Sequence, residues 1–579
     1  MVDRRSRGTA VTGPLAALAL LLAGCASIPT TGAVVPGDPV RAQDPPPYVG
    51  IVAAPPRPGA DEQAIVNGFL AALSSYVPGY PTAREFLSPD VAAAWRPGEG
   101  TVIFDGDTGP VVTATGEGRV RLGADVVATL GADGSYTKAP VGSRLDLDLR
   151  LQQVDVAGSP EWRITTPPAG VVLSDFDFER EFASYDLYFF DPQYQVLVPD
   201  PVHVPRSGSV TTLLAEALLA GPSDWLAPAV GTAFPDGVAL DVRSVPVSGG
   251  LATVALTPEA AEAPPERRDQ MAAQLSWTLR QVPEVQQVTI TSAGVPLVGD
   301  GTTPAPVDTY ERYDPAVLPR ESAVFVVAAE GVVASSRGGP PRPVGGPLGA
   351  GDPVVRSVAV DPARGSRGVA VDESGTQLLA AGFGTDDTRT ILLEGADLAA
   401  PAWDRTGLVW SLDRGTGGLT VVDPATASAA AVSVPAEGGP QQRPEQVAVS
   451  LDGTRIALRV GGRVWLGLVL RDPAEPLTVR LDGLREVPLD ETPVLDVTWA
   501  DPSRLAVLQQ APEQDPTASV VETSGARSLS RGTVPGAVAL AAAPGQPLVA
   551  ATEDGRLLRL DIVLRWTPFG EGGAPAYQG

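Results

Sequence analysis

Two of the residue types that do most nucleophilic, redox and metal chemistry occur once each in this chain of 579 residues, as Cys25 and His203. One thiol excludes an intramolecular disulfide framework and any multi-cysteine zinc site. One thiol and one imidazole leave no nitrogen-and-sulfur ligand set for zinc or copper. His203 stands in Pro201-Val-His-Val-Pro205. A Ser-His-Asp arrangement there would need a nearby nucleophile, and the chain has no Gly-x-Ser-x-Gly elbow, so His203 reads as a surface or strand-end residue. Oxygen chemistry is left to 68 carboxylates. Asp105-Gly-Asp107-Thr-Gly109 opens like a calcium loop, but the twelfth position is Gly116 where a bidentate glutamate is needed, so it reads as a turn. Asp175-Phe-Asp-Phe-Glu-Arg-Glu-Phe182 alternates acid with phenylalanine, as a strand or an interdomain packing segment would. Glycoside hydrolysis needs two carboxylates at a set spatial separation, and nothing in the sequence selects a pair. No catalytic residue, cofactor or metal site is assigned.

Cys25 has a different chemistry. Arg4, Arg5 and Arg7 precede an uncharged stretch that is densest over Leu15–Ala23, too short for a lasting membrane span but suited to a secretory signal. It ends in Leu22-Ala23-Gly24-Cys25, the pattern of a lipobox. Cleavage between Gly24 and Cys25 would make the thiol the lipid-bearing first residue. Two or three acyl chains, at about 0.8 kcal/mol per buried CH₂, anchor a protein stably where one does not. The expected location is the extracytoplasmic face of the cell membrane, with residues 1–24 as the signal peptide.

Composition sets the remaining bounds. A net charge of −26 argues against nucleic acid and against flat adsorption to anionic headgroups. The length suggests three or four domains, and 44% apolar residues can fill their cores. Residues 25–60 carry the lipidated cysteine and a segment with nine prolines, among them Pro45-Pro46-Pro47, which buries too little to fold. Extended at about 3.1 Å per residue it would reach up to roughly 100 Å, as a tether or as a terminus with no spacing role.

The elements that must position any site follow from periodicity. Over 61–170, Ile65, Phe69, Ala72, Leu73 and Tyr76 mark a helix, a second lies near Arg84–Trp95, and Leu145, Leu147, Leu149 and Leu151 alternate with charges as a half-buried strand. With Glu161–Ile164 as closing strand this is an α+β roll. Over 183–300, strands at Tyr185–Phe190 and Gln195–Pro199 precede a helix through Val210, Leu213, Leu214, Ala217 and Leu218, capped by Ser207 or Ser209 and stopped at Gly221-Pro222. Strands at Val238–Val247 and Leu251–Leu256, a helix carrying Met271, Leu275, Leu279 and Val282, and a strand at Val285–Ile290 complete a second small α+β domain. From 315 to 579 helical periodicity disappears. Phrases such as Val358-Ala-Val-Asp-Pro362, Val447-Ala-Val-Ser-Leu-Asp-Gly453 and Val497-Thr-Trp-Ala-Asp-Pro502 recur with anchors Asp361, Asp404, Asp452, Asp501 and Gly545. A spacing of about 40–50 residues predicts an all-β propeller of about six blades, with a pair of sandwiches as the competing fold. One blade should join strands near Ala323–Ser335 to the C-terminus, because edges must be covered.

Taken together, the lipobox with Cys25-Ala-Ser-Ile-Pro-Thr30, Leu213…Ala217-Leu218 before Gly221-Pro222, Phe234-Pro-Asp-Gly237, Val254-Ala-Leu256 and the C-terminal repeats resemble the LpqB family of actinobacterial lipoproteins over essentially the whole chain. The resemblance implies a GerMN domain in the middle and a propeller at the end, and offers no catalytic residue to carry over. It also implies an accessory role beside a two-component system, contacting the ectodomain of an MtrB-like sensor histidine kinase that acts on MtrA in cell-envelope homeostasis. Beyond the lipid bilayer and that kinase, the other partner left open is a cell-wall glycan, bound or hydrolysed by the propeller.

Overall fold

The computed structural model describes residues 53–299, 304–316, 322–336, 339–384, 387–435, 439–472 and 474–578. Gly24, Cys25 and most of the proline-rich segment lie outside the described residues. The end of that segment is docked against the first domain. Gly59 N donates to both carboxylate oxygens of Glu161 at 2.9 and 3.1 Å, and Ala53 and Ala60 pack on the core, so the expected free tether stops short of residue 60.

The first domain packs helix Glu62–Leu73 on a seven-stranded sheet. Asp61 caps the helix by accepting from Ala64 N at 2.8 Å, and Ile65, Val66, Phe69, Ala72 and Leu73 form its buried stripe. The expected helix near Arg84–Trp95 is two pieces, Pro81–Arg84 and Pro89–Ala94, because Pro89 restarts the chain after Ser88. Arg119–Leu130 is the hub of the sheet, paired antiparallel with Thr101–Phe104, Arg144–Val156 and two short strands. The sheet does not close at Glu161–Ile164. Val171–Ser174 adds a further strand, parallel to Thr101–Phe104.

Asp175–Glu181 is a helix, which corrects the strand reading of the acid–phenylalanine run. Ser174 accepts from Asp177 N at 3.0 Å and donates to the Asp177 carboxylate at 2.7 Å, so the sequence starts a helix before its alternation can matter. Phe178 and Phe182, four residues apart, then stack with centroids 4.9 Å apart.

The middle domain opens with a hairpin, Phe182–Phe190 and Leu197–Pro205, in register from Phe182↔Pro205 to Phe190↔Leu197. Helix Val210–Ala220 packs on the hairpin and on helix Pro265–Leu279, which also lies against a five-stranded sheet whose central strands, Leu251–Leu256 and Gln287–Ser292, run parallel. Gln274 is fully buried and joins hairpin to core, accepting from Ala233 N and donating to Tyr188 O, both at 2.7 Å. The strand expected over Val238–Val247 is irregular: Leu240 makes one bridge to Leu256, and only Val247–Ser248 pairs as a strand. Val238 and Val245 are buried while Val242 points to solvent, so the segment anchors at two points without a continuous ladder.

The remaining described sheets are six, each of four strands. Five are contiguous in sequence. The sixth takes its outer strands from Val324–Ala328, Gly331–Ser335 and Arg342–Pro343 and its inner strand from Gly573–Ala576, the closure that an uncovered edge demands. The five recurring Asp and Gly anchors stand at the end of, or in the turn leaving, the inner strands of the five contiguous sheets. There Asp361, Asp404 and Asp501 accept backbone N–H groups two residues on, at 2.8 to 2.9 Å.

Candidate functional site

Three groups of residues could recognise something: the propeller channel, the hairpin junction, and a cavity beside that junction. Inner strands of the blades surround a channel cavity of about 200 Å³, walled mainly by small apolar residues such as Ala359, Ala402, Ala448 and Ala541. Asp496 is the single carboxylate among the residues lining it. Its oxygens are committed to Leu540 N at 2.5 Å, Val497 N at 3.0 Å and the Gln446 side chain. Burial raises this acid to about 6 against those hydrogen bonds. A lone, tied carboxylate does not supply the acid–base pair that glycoside hydrolysis requires.

The hairpin holds the three domains together. On one side, Ser503 donates to the Asp186 carboxylate at 2.7 Å, and Val198, Leu226 and Ala229 pack on Leu468 of the propeller. Arg455, 1% exposed, reaches Pro199 O at 3.2 Å and Pro502 O at 2.7 Å while pairing with buried Asp452. Burial opposes the Asp452 charge, but Arg455 and the Thr454 hydrogen bonds outweigh it and hold that acid below its usual range. Asp186, wrapped by the same interface, is raised to about 6 by burial, with the Ser503 hydroxyl opposing.

On the other side His203 N donates to Gly134 O at 2.9 Å, and the imidazole lies between Tyr136 and Phe178, with centroids 5.4 Å from each. His203 is therefore buried inside an interface and not at a surface. Burial first, and the Arg206 charge second, lower it to about 4, and its Nδ1 has no hydrogen-bond partner. A neutral ring packed on two aromatics, with no nucleophile bonded to it, is a structural group. Gly134 must approach closely: its φ is +80°, and a Cβ there would stand 3.2 Å from Val202 Cβ.

Beside the hairpin lies a cavity of about 450 Å³ with walls from all three domains: Asp133 and Tyr136, then Asp200, Asp224 and Trp225, then Arg485. The Arg485 guanidinium sits 3.8 Å over the Trp225 ring, whose indole N–H donates to Gly483 O at 2.7 Å. Burial lowers Arg485 to about 10. Sequence reasoning missed Arg455, Arg485 and Trp225. Their partners lie on other domains, and no spacing within one strand signals that.

The Asp105 loop is a turn, with Asp105 accepting from Asp107 N at 2.9 Å and Thr108 N at 3.3 Å. Among the described residues no three His, Cys, Asp or Glu side chains gather as metal ligands, and no helix is long and apolar enough to cross a membrane.

Residues 55–179 match the family model described as the N-terminal domain of lipoprotein LpqB, residues 331–578 its beta-propeller domain, and residues 186–298 the Germane model, described as sporulation and spore germination. Lipoprotein LpqB of Thermobifida fusca is 30% identical across 97% of this chain and 98% of its own length. The chain belongs to the LpqB family. The Streptomyces coelicolor member is 32% identical across 97% of the chain and 96% of its own length. Among solved structures, TolB from Acinetobacter baumannii aligns over 52% of this chain and 84% of that one, at 13% identity and a TM-score of 0.34. The LpqB relatives are named as lipoproteins and not as enzymes.

Proposed function

We propose that this LpqB-family chain is a non-enzymatic accessory lipoprotein, anchored through Cys25 on the extracytoplasmic face of the cell membrane. There it binds the ectodomain of an MtrB-like sensor kinase and biases signalling to MtrA in cell-envelope homeostasis. The observation that carries the binding reading is the propeller channel, whose alanine-rich wall holds one carboxylate already committed to two backbone amides and a glutamine. The LpqB resemblance supplies the partner. Lipid anchoring would confine both proteins to one plane and raise their effective concentration. Differential affinity for two states of the kinase would shift its equilibrium by that difference and no more.

The test is a binding titration of the full chain against the purified kinase ectodomain, with kinase autophosphorylation in proteoliposomes as a second readout. The reading expects saturable binding and a changed phosphorylation level. Absence of both removes the kinase from the account. Hydrolysis of a wall glycan, abolished by Asp496→Asn, would favour the enzyme reading instead.

A further inference from the structure

We propose that the cavity between the three domains binds the zwitterionic end of an amino acid or short peptide, its carboxylate on Arg485 and its ammonium on Asp224 and Asp200. The volume of about 450 Å³ falls within the range of small-molecule sites, and each of the three domains contributes to the wall. Arg485 is the unusual group. It stacks on Trp225, yet its guanidinium makes no hydrogen bond or ion pair with any described residue. Arg455, in the same interface, directs its two terminal nitrogens to Pro199 O, Pro502 O and Asp452. A guanidinium whose donors open into a cavity and bond no protein acceptor is free to take a ligand, and a carboxylate matches its planar fork with two parallel hydrogen bonds.

The opposite wall supplies the other charge. Asp200 accepts from Ser223 N at 2.6 Å and Ser223 Oγ at 2.9 Å, one bond per oxygen, which leaves acceptor capacity on both. Asp224, exposed at the rim, makes no hydrogen bond or ion pair with a described residue. Arg485 and Asp200 feel each other's charge but form no ion pair, so cation and carboxylates face one another across unfilled space. A simple anion would meet repulsion from Asp133, Asp200 and Asp224. A ligand carrying both charges satisfies both walls, with the Trp225 face beside its apolar part. Occupancy would also tie the three domains to one another at the hairpin.

Calorimetric titration of the full chain with dialanine, alanine, N-acetyl-dialanine and dialaninamide tests this. One or both zwitterions should bind saturably, and the peptide lacking either charge should bind about tenfold more weakly or worse. Binding of dialanine alone assigns a peptide; equal binding of alanine assigns a free amino acid. Arg485→Gln should lose about tenfold in affinity, and Asp224→Asn should weaken dialanine while leaving N-acetyl-dialanine unchanged. No saturable heat from either zwitterion overturns the proposal, as does undiminished binding by Arg485→Gln. Should that variant misfold, Asp224→Asn and the blocked peptides decide.

Discussion

At the scale of single residues, the junction hides ionisable groups whose protonation acts on stability in opposite directions. The unfolded chain holds the His203 proton with the ordinary affinity near 6.5, and the folded chain only near 4. The stability due to the neutral ring is therefore complete above about 6.5 and is lost as pH falls through 4, on the order of 3 kcal/mol. Asp186 runs the other way, since its folded value is raised to about 6, and its contribution is lost as pH rises through that value. The two oppose each other in the native chain, and Asp496, also raised to about 6, acts in the same direction as Asp186, so each is read as a difference between variant and native chain. In denaturant titrations from pH 4 to 7, the stability of His203→Phe relative to the native chain should fall as pH rises, and that of Asp186→Asn relative to the native chain should rise. Arg455→Ala, which strands the buried Asp452 charge, should cost about 3–5 kcal/mol by the same measurement.

At the scale of elements, the closing blade depends on a few residues at the chain's end. Truncation after Gly572 removes the inner strand Gly573–Ala576 and exposes the edge of Val324–Ala328. The shortened chain should lose cooperative unfolding and associate in size-exclusion chromatography. Such elements were largely legible beforehand, because alternation and a repeating Asp turn are local signals: the stripe from Ile65 to Leu73, the Leu145–Leu151 strand and the C-terminal closure all appear. The Asp175–Glu181 helix is not what the alternation predicts, because the Ser174 cap on Asp177 N, spanning four residues, outweighs eight residues of alternation. The Val238–Val247 strand failed because two buried valines can anchor a loop as well as a ladder. The junction was illegible for another reason. Arg455 meets Pro199, and Trp225 meets Gly483, across more than 250 residues, and periodicity carries no information over that distance.

At the scale of the whole molecule, one hairpin couples a lipoprotein N-terminal domain, a Germane domain and a propeller. Gly134→Ala, which forces a Cβ against Val202 at a left-handed backbone position, should loosen the first domain from the hairpin at a cost of about 1–3 kcal/mol. Hydrogen exchange should then rise at Tyr136–Lys138 and Val202–Val204 while the propeller blades keep their protection. Function by docking requires that this assembly meet its partner outside the membrane. The direct measurement is photo-crosslinking in intact cells of the native host, from exposed positions on each domain of the full chain, with the captured protein identified by mass spectrometry. Crosslinks to the extracytoplasmic segment of an MtrB-like sensor kinase are expected. Crosslinks that reach other envelope proteins and never a kinase would contradict it.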